Sequence, residues 1–173
     1  SKIRVIIFSS ENKNLVTGTG KLFSLKLKSK TEPETYSVNF SGMVASDSSG
    51  ESVTLESQSG NITINAPKMV INTTNLNFDR VPLGQTKNMS FTVNNQGNKD
   101  LTITGLKESI SPFEMTTDFP VTISAGSSKS FEVKFESTTK GTYSSTLQFN
   151  SNEPNPARAN HKISLSAISF AVN

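Results

Sequence analysis

The stretch SFTVNNQGNKDLTI, residues 90–103, carries the pattern that decides the fold. Phe91 and Val93 alternate with small polar residues, and the same alternation resumes at Leu101. A period of two predicts a strand with one buried face. Residues 94–98 between the two runs are polar and include a glycine, which is typical of a turn that tolerates positive φ. The stretch therefore predicts two strands joined by a polar turn.

The alternation continues on both sides of this stretch, from Leu76 to Ala167, and no segment has the period of a helix. About seven short strands separated by turns are typical of an immunoglobulin-like β-sandwich. The apolar residues that define these strands are Leu76, Phe78, Phe91, Val93, Leu101, Ile103, Phe113, Met115, Phe119, Val121, Ile123, Phe131, Val133, Phe135, Tyr143, Leu147, Phe149, Ile163 and Leu165. We predict an all-β protein with little or no helix, whose residues 67–173 form an immunoglobulin-like sandwich.

The alternation changes phase after Ala167, because Ile168, Phe170 and Val172 are apolar whereas Ser169 is polar. A shift of one residue moves side chains to the opposite face of a sheet. Two interpretations stay open: a bulge near Ala167, or a final segment that begins a linker or a strand of something downstream.

Residues 1–66 show the same period in a smaller segment. Tyr36, Val38 and Phe40 alternate with polar residues. Pro67 cannot donate to a strand ladder and restricts the residue before it, so we place a domain boundary there. A module of this size without disulfides or metal has a marginal core. We expect it to cover its apolar surface by packing on the second module, or by pairing with a protein partner or another copy through exposed strand edges.

The second module resembles a known family through residues at fixed spacing. They are Leu76-x-Phe78-x-x-Val81-x-x-Gly84-Gln85, Phe91-x-Val93-x-Asn95-x-Gly97, Leu101-x-Ile103, Phe113, Ile123-x-Ala125-Gly126, Val133-x-Phe135, Gly141-x-Tyr143, Leu147-x-Phe149-x-Ser151-Asn152 and Ile163-x-Leu165. This pattern resembles the ASH (ASPM–Hydin) domain, also seen in bacterial surface proteins of the choice-of-anchor type. The resemblance implies an immunoglobulin-like fold and a structural or docking role without catalysis. Ser137 stands where such domains often have proline.

The first segment resembles the C-terminal half of a cohesin domain. The residues that carry this resemblance are Ile3-Arg4-Val5-Ile6-Ile7-Phe8-Ser9, Gly20-x-Leu22-Phe23-x-Leu25-x-Leu27-Lys28, Val44-Ala45-Ser46-Asp47, Gly50-Glu51 and Gly60-x-Ile62-x-Ile64. A full cohesin sandwich is about twice this size. The resemblance therefore implies that residues 1–66 form a smaller, incomplete cohesin-like β-sandwich.

Composition excludes several classes of function. The chain has no cysteine, which excludes disulfides, thiolate metal sites and cysteine catalysis. Its net charge of +3 is too small to indicate nucleic-acid binding. No apolar run approaches the ~20 residues of a membrane-spanning helix. The chain opens with Ser1 rather than methionine, so we expect it to be a piece of a longer protein.

No constellation predicts a catalytic, cofactor or metal site. His161 is the only histidine, and we expect it at a solvent-exposed loop end. Asp47 and Glu51 flank a turn and could hold calcium, but they lack the EF-hand spacing, so a polar turn is the simpler interpretation. The carboxylates between Glu108 and Asp118 have no spacing that selects a pair for glycoside hydrolysis.

These observations predict a non-catalytic adhesion or spacer module, with a protein-binding role, in a secreted or cell-surface protein of a bacterium, extracellular or periplasmic. Carbohydrate binding, as an accessory module of a glycan-processing system, is the alternative. It usually needs exposed aromatic platforms, whereas the chain has no tryptophan and Tyr36 and Tyr143 fall at core positions. A ciliary scaffold, which the eukaryotic relatives of the ASH pattern imply, fits the cohesin-like segment less well.

Overall fold

The structure, a computed structural model, describes residues 32–46, 49–54, 56 and 58–172 of the 173-residue chain. The chain divides into two units, one of Ser1–Ser29 and Thr35–Ile62 and one of Lys30–Glu34 and Thr63–Asn173. The cohesin-like resemblance at residues 3–28 and the polar turn at Asp47 lie outside the described residues, so both stay predictions.

The described part of the first unit is a small set of strands. They are β1 (Glu34–Val38), β2 (Ala45–Ser46), β3 (Ser52–Val53) and β4 (Gly60–Ile64). The first residue of β1 and the last two residues of β4 are assigned to the second unit. β1 pairs with β4, and β2 pairs with β3. Phe40, Val44 and Ile62 expose 46%, 84% and 42% of their surface. Apolar residues of this unit are therefore available for contact.

The second unit is a β-sandwich with one short helix. Its strands are β5 (Met69–Ile71), β6 (Asn75–Pro82), β7 (Thr86–Asn95), β8 (Leu101–Leu106), β9 (Phe113–Met115), β10 (Val121–Ile123), β11 (Ser128–Glu136), β12 (Gly141–Leu147), β13 (Phe149–Ser151) and β14 (Ile163–Phe170); the helix is α1 (Pro156–Ala159). One sheet has the order β5-β7-β11-β9. The other contains β10-β8-β13 and β12-β14-β6, joined because β12 and β13 are successive parts of one strand interrupted at Gln148.

The two sheets enclose a core that the alternation predicts. Phe78, Phe131 and Phe135 are fully buried, and the rings of Phe131 and Phe149 lie 5.2 Å apart. The other buried apolar side chains come from every strand of the sandwich, including β5, which the alternation did not predict. The prediction of an all-β, immunoglobulin-like module is confirmed.

The last strand keeps its phase to the end. β14 pairs in parallel with β6, and the register shifts between Ser166 and Ile168, where β6 carries one extra residue. That residue is Asp79, whose φ of 53° lies in the left-handed region. The bulge predicted near Ala167 is therefore present in the pairing, but its extra residue belongs to β6. Consequently Ser169 points into the core, 1% exposed, and Ile168 faces outward.

Replacing Ser169 with alanine is expected to raise the free energy of unfolding by about 1 kcal/mol. Its Oγ is buried and has no hydrogen-bond partner among the described residues, so the native hydroxyl is desolvated without compensation. Urea denaturation measures the change. Ser164→Ala, at an exposed position of the same strand, serves as the control and should change stability by less than about 0.5 kcal/mol. A loss of stability in Ser169→Ala would contradict the prediction.

Tyr143 fixes the corner between β11 and β12. Its hydroxyl donates to the carbonyl of Thr139 at 2.7 Å and accepts from Ser137 Oγ at 2.8 Å, while its ring packs 5.5 Å from that of Phe135. This is the tyrosine corner of immunoglobulin-like sandwiches. Gly84 N donates to Ser137 O, so the corner also holds the turn after β6.

Tyr143→Phe is expected to lower the free energy of unfolding by about 1–2 kcal/mol, because the ring stays and two hydrogen bonds are lost. Thermal and urea denaturation of the full chain measure the difference. A variant as stable as the wild type would show that the hydroxyl contributes nothing at this corner.

Candidate functional site

Polar networks gather at the N-terminal pole of the sandwich, which we define as residues 66–68, 96–100, 124–127 and 152–162. Asn95, fully buried at the end of β7, is the centre of the first network. Its Oδ1 accepts from Lys68 N at 3.1 Å and Gly97 N at 3.0 Å, and its Nδ2 donates to the carbonyls of Lys99 at 2.8 Å and Ile123 at 2.9 Å. All four hydrogen-bonding positions of the amide are used. One side chain thus holds three segments of the pole together.

Gly97 allows the chain before β5 to lie against this turn. A Cβ on Gly97 would overlap the carbonyl oxygen of Ala66 and lie 2.5 Å from Lys68 N. None of residues 94–98 has positive φ, so the turn does not use the left-handed geometry that its residues tolerate. The glycine is needed for close backbone approach instead. Ala66 and Pro67, predicted to lie at a domain boundary, are buried by this contact.

A second network, buried beside the first, joins the loop after β13 to β5. The side chain of Glu153 has no exposed surface, and it accepts from Met69 N at 2.6 Å and Asn155 N at 2.8 Å. Arg158 donates to both carboxylate oxygens of Glu153, at 3.1 and 3.0 Å. The third guanidinium nitrogen of Arg158, Nη1, donates to Glu32 at 2.6 Å. Every partner of the buried carboxylate is a hydrogen-bond donor, which satisfies the charge that burial would otherwise leave uncompensated.

The charges in this network support one another. Hydrogen bonds from Arg158 and from Asn155 lower the pKa of Glu32. Burial opposes the charge of Arg158, but hydrogen bonds to Glu153 and Glu32 outweigh it and raise the pKa of the guanidinium. Glu32 and Arg158 therefore stay ionised at neutral pH and act as a fixed brace.

The local sequence explains how Arg158 reaches Glu153. Asn155 caps α1, because its Oδ1 accepts from Ala157 N at 2.9 Å, and Pro156 occupies the first turn. This one turn of helix brings the Arg158 side chain back over the carboxylate five residues earlier. The polar segment between β13 and β14 therefore contains a single helical turn.

The two outer faces of the sandwich differ in charge. The outer face of β11 carries Glu132, Lys134 and Glu136, and Lys134 pairs with Glu114 at 2.8 Å, which raises the lysine pKa. The outward positions of β12, β14 and β8, by contrast, are hydroxyl residues. They are Thr142, Ser144 and Thr146 on β12, Ser164 and Ser166 on β14, and Thr102 and Thr104 on β8. We call this set the hydroxyl face.

An apolar corner ends the hydroxyl face at the opposite, C-terminal pole, which we define as residues 83–85 and 137–140. Ile168 is 42% exposed and Val172 is 70% exposed. Arg80 on β6 lies over the ring of Phe170, with its guanidinium carbon 4.6 Å from the ring centre. This corner arises because β14 keeps its phase and places Ser169 inward.

His161 and Glu114, two side chains considered in the sequence analysis, each have a structural partner among the described residues. His161 is half-buried and its Nε2 lies 2.8 Å from the carbonyl of Thr73, so the expectation of a solvent-exposed residue is wrong. The carboxylate of Glu114 forms an ion pair with Lys134. Among the described residues, no three His, Cys, Asp or Glu side chains could hold a metal ion, and no helix could cross a membrane.

The sequence alone does not predict the two polar networks. Asn95 and Gly97 belong to the quoted family pattern, but their roles come from contacts with residues 66–68 and Ile123. Glu153 and Arg158 lie in a stretch that has the composition of an ordinary polar loop. The one available signal was the sequence Asn155-Pro156 followed by Arg158, which is a helix start with a basic residue in its last turn.

Comparison with known proteins supports the fold and names a family. No curated protein matches the chain in a sequence comparison. A Porphyromonas gingivalis protein of unknown function has a similar structure, with a TM-score of 0.50, 11% identity and coverage of 83% of this chain and 70% of that one. The PapD-like domain 7 of human CEP192, an ASH domain, has a TM-score of 0.49 and 15% identity, covering 61% of this chain and 87% of that domain.

The Vibrio cholerae VesB protease is a further structural match, with a TM-score of 0.41 and 20% identity, covering 59% of this chain and 31% of the protease chain. A family model described as HYDIN/CFA65/VesB-like, Ig-like domain matches residues 67–166, which is the sandwich whose poles and faces are described above. This chain therefore belongs to the HYDIN/CFA65/VesB-like family of immunoglobulin-like domains.

Proposed function

We propose that this chain is a non-catalytic spacer and adhesion module of a secreted or cell-surface protein, extracellular or periplasmic in a bacterium. One observation carries the proposal. β6 and β14 run parallel, from Asn75 beside Ser164 to Pro82 beside Phe170. The chain therefore enters the sandwich at the N-terminal pole and leaves it at the C-terminal pole. An eight-residue strand spans roughly 26 Å, so each module adds about that length to the path of the chain.

The networks of the N-terminal pole support this role. Glu153 and Asn95 use all of their side-chain hydrogen-bonding positions within the second unit, and Arg158 is bound to Glu153 and Glu32. Groups held in this way stabilise geometry and have no free capacity for a substrate. The exposed apolar corner at Ile168 and the exposed Phe40 and Val44 of the first unit are surfaces for a protein partner.

Small-angle scattering on a tandem fusion of two copies tests the spacer role. We expect the maximum dimension to increase by at least the strand length for the second copy. A dimension that barely changes would mean that the copies fold back on each other and would overturn the proposal. Cell fractionation with an antibody against the chain tests the location, and recovery in the cytosol alone would overturn that part.

Carbohydrate binding is the second candidate, and the hydroxyl face favours it. An uncharged surface of hydroxyl groups can donate to and accept from sugar hydroxyls. A glycan array separates the two functions. The spacer proposal predicts no saturable binding; binding that is lost in Ser144→Glu and kept in Ser130→Glu, on the opposite outer face, would establish the sugar function instead.

A further inference from the structure

We infer that the second unit is built to carry mechanical tension, and that the parallel pair β6–β14 is the element that resists it. This inference rests on the proposed spacer function, because a spacer that links two attachment points is pulled from both of its ends. It concerns how the module withstands force, which neither the fold nor the family settles.

The direction of pulling decides how this pair is loaded. When force is applied at the two poles, β6 is pulled in the direction of its first residue, Asn75. β14 is pulled in the opposite direction, toward its last residue, Phe170. The strands are thereby sheared along their length. In shear, the hydrogen bonds between two strands bear load together, whereas strands that are peeled apart lose their hydrogen bonds one after another. The unfolding rate under force is therefore lowest for tension along the strand axis.

The chain is anchored where tension first arrives. At the N-terminal pole, Lys68 N donates to Asn95, Gln96 N donates to Lys68 O at 2.8 Å, and Met69 N donates to the buried Glu153 at 2.6 Å. These bonds tie the start of β5 to the turn after β7 and to the loop after β13. These hydrogen bonds must break before force can detach β5 from the sandwich. The two networks are therefore the first contacts that resist the force.

The other pole is anchored differently. Leu83 N donates to the carbonyl of Phe170 at 2.9 Å, and Arg80 covers the Phe170 ring. Both contacts join the end of β14 to the end of β6, so force on β14 is passed directly into the parallel pair. The exit strand therefore cannot fray without first breaking its link to β6.

The bulge within the pair is braced rather than loose. Asp79 N donates to Asn77 Oδ1 at 3.0 Å, and Asn77 Nδ2 donates to Asp79 Oδ1 at 2.8 Å. Lys87 lies 3.5 Å from the Asp79 carboxylate and donates to Phe78 O at 2.8 Å. The two halves of the pair, before and after the bulge, are thus held in fixed relation by β7. Shear is carried by both halves.

Single-molecule pulling on the full chain through engineered thiols tests the inference. The chain has no cysteine, so two substitutions define the points of force without ambiguity. Asn72→Cys with Val172→Cys loads the pair in shear; Gln85→Cys with Val172→Cys applies force at one pole and peels the pair. All three positions are exposed. We expect the unfolding force to be severalfold higher in the shear geometry at equal pulling speed.

Equal forces in the two geometries would overturn the inference. Urea denaturation of both double variants is the control, and equal free energies of unfolding show that direction alone differs. The outcomes also separate the two proposals. Equal forces with an extended tandem fusion would leave the spacer function standing without a load-bearing pair. A directional difference with a folded-back tandem fusion would establish the mechanical property and remove the spacer function.

Discussion

Asn95→Asp is expected to lower the free energy of unfolding by about 3–5 kcal/mol, since one oxygen of the buried carboxylate is left facing hydrogen-bond acceptors. The substitution preserves shape and exchanges an amide nitrogen for an oxygen. That oxygen would face the carbonyl oxygens of Lys99 and Ile123, which now accept from Asn95 at 2.8 and 2.9 Å. Urea denaturation of the full chain, followed by circular dichroism of the sandwich, measures the loss.

The loss in free energy of unfolding caused by Asn95→Asp should increase with pH. The buried carboxyl of Asn95→Asp faces acceptors, so its pKa in the folded state rises above the ordinary value of about 3.9. The folded state then favours the protonated form, and stability is lost as pH rises through the raised folded pKa. The difference from the wild type should therefore be smallest below about pH 4 and largest at neutral pH.

Asn75→Asp provides the matched control, because Asn75 is exposed and the substitution changes charge without burying it. We expect a change below about 0.5 kcal/mol. If Asn95→Asp were as stable as this control at neutral pH, the amide would not be the centre of the N-terminal pole.

The fold was predictable because its main determinant is local. Alternation along β6, β7, β11 and β14 places Phe78, Phe91, Phe131 and Leu165 on inner faces. The alternation can be read within each strand without knowing which strand it pairs with. The end of β14 shows where the pattern misleads. Apolar residues at Ile168 and Phe170 suggest a change of phase, but β14 pairs with β12 without a break from Ile163 to Ser169, and this pairing keeps Ser169 on the inner face. The backbone hydrogen bonds of the strand therefore outweigh the preference of the polar Ser169 side chain for solvent.

The polar networks were not predictable because their partners are distant in sequence. Met69 N and Glu153 are 84 residues apart, and Asn95 reaches Ile123 across 28 residues. An Asn in a turn and a Glu in a loop are ordinary surface residues until tertiary contacts bury them. Gly97 correctly indicated a turn, but the turn requires the small size of glycine rather than its conformational freedom.

Glu153→Gln is expected to lower the free energy of unfolding by about 3 kcal/mol, by the converse of the Asn95 argument. All of the groups that contact the carboxylate are donors: the backbone nitrogens of Met69 and Asn155, and two nitrogens of Arg158. The glutamine amide has one acceptor oxygen, and its NH2 group would face donors at the other position. Shape is kept, so the loss reports hydrogen bonding and charge rather than packing.

Glu108→Gln is the control, since Glu108 is exposed and its neutralisation should change stability by less than about 0.5 kcal/mol. A second measurement separates local from global effects. Because Glu153 ties β5 to the loop after β13, amide exchange at Met69 should accelerate more in Glu153→Gln than exchange at Phe131, in the centre of the core. Uniform acceleration at both sites, or stability equal to that of Glu108→Gln, would show that the buried carboxylate does not brace the N-terminal pole.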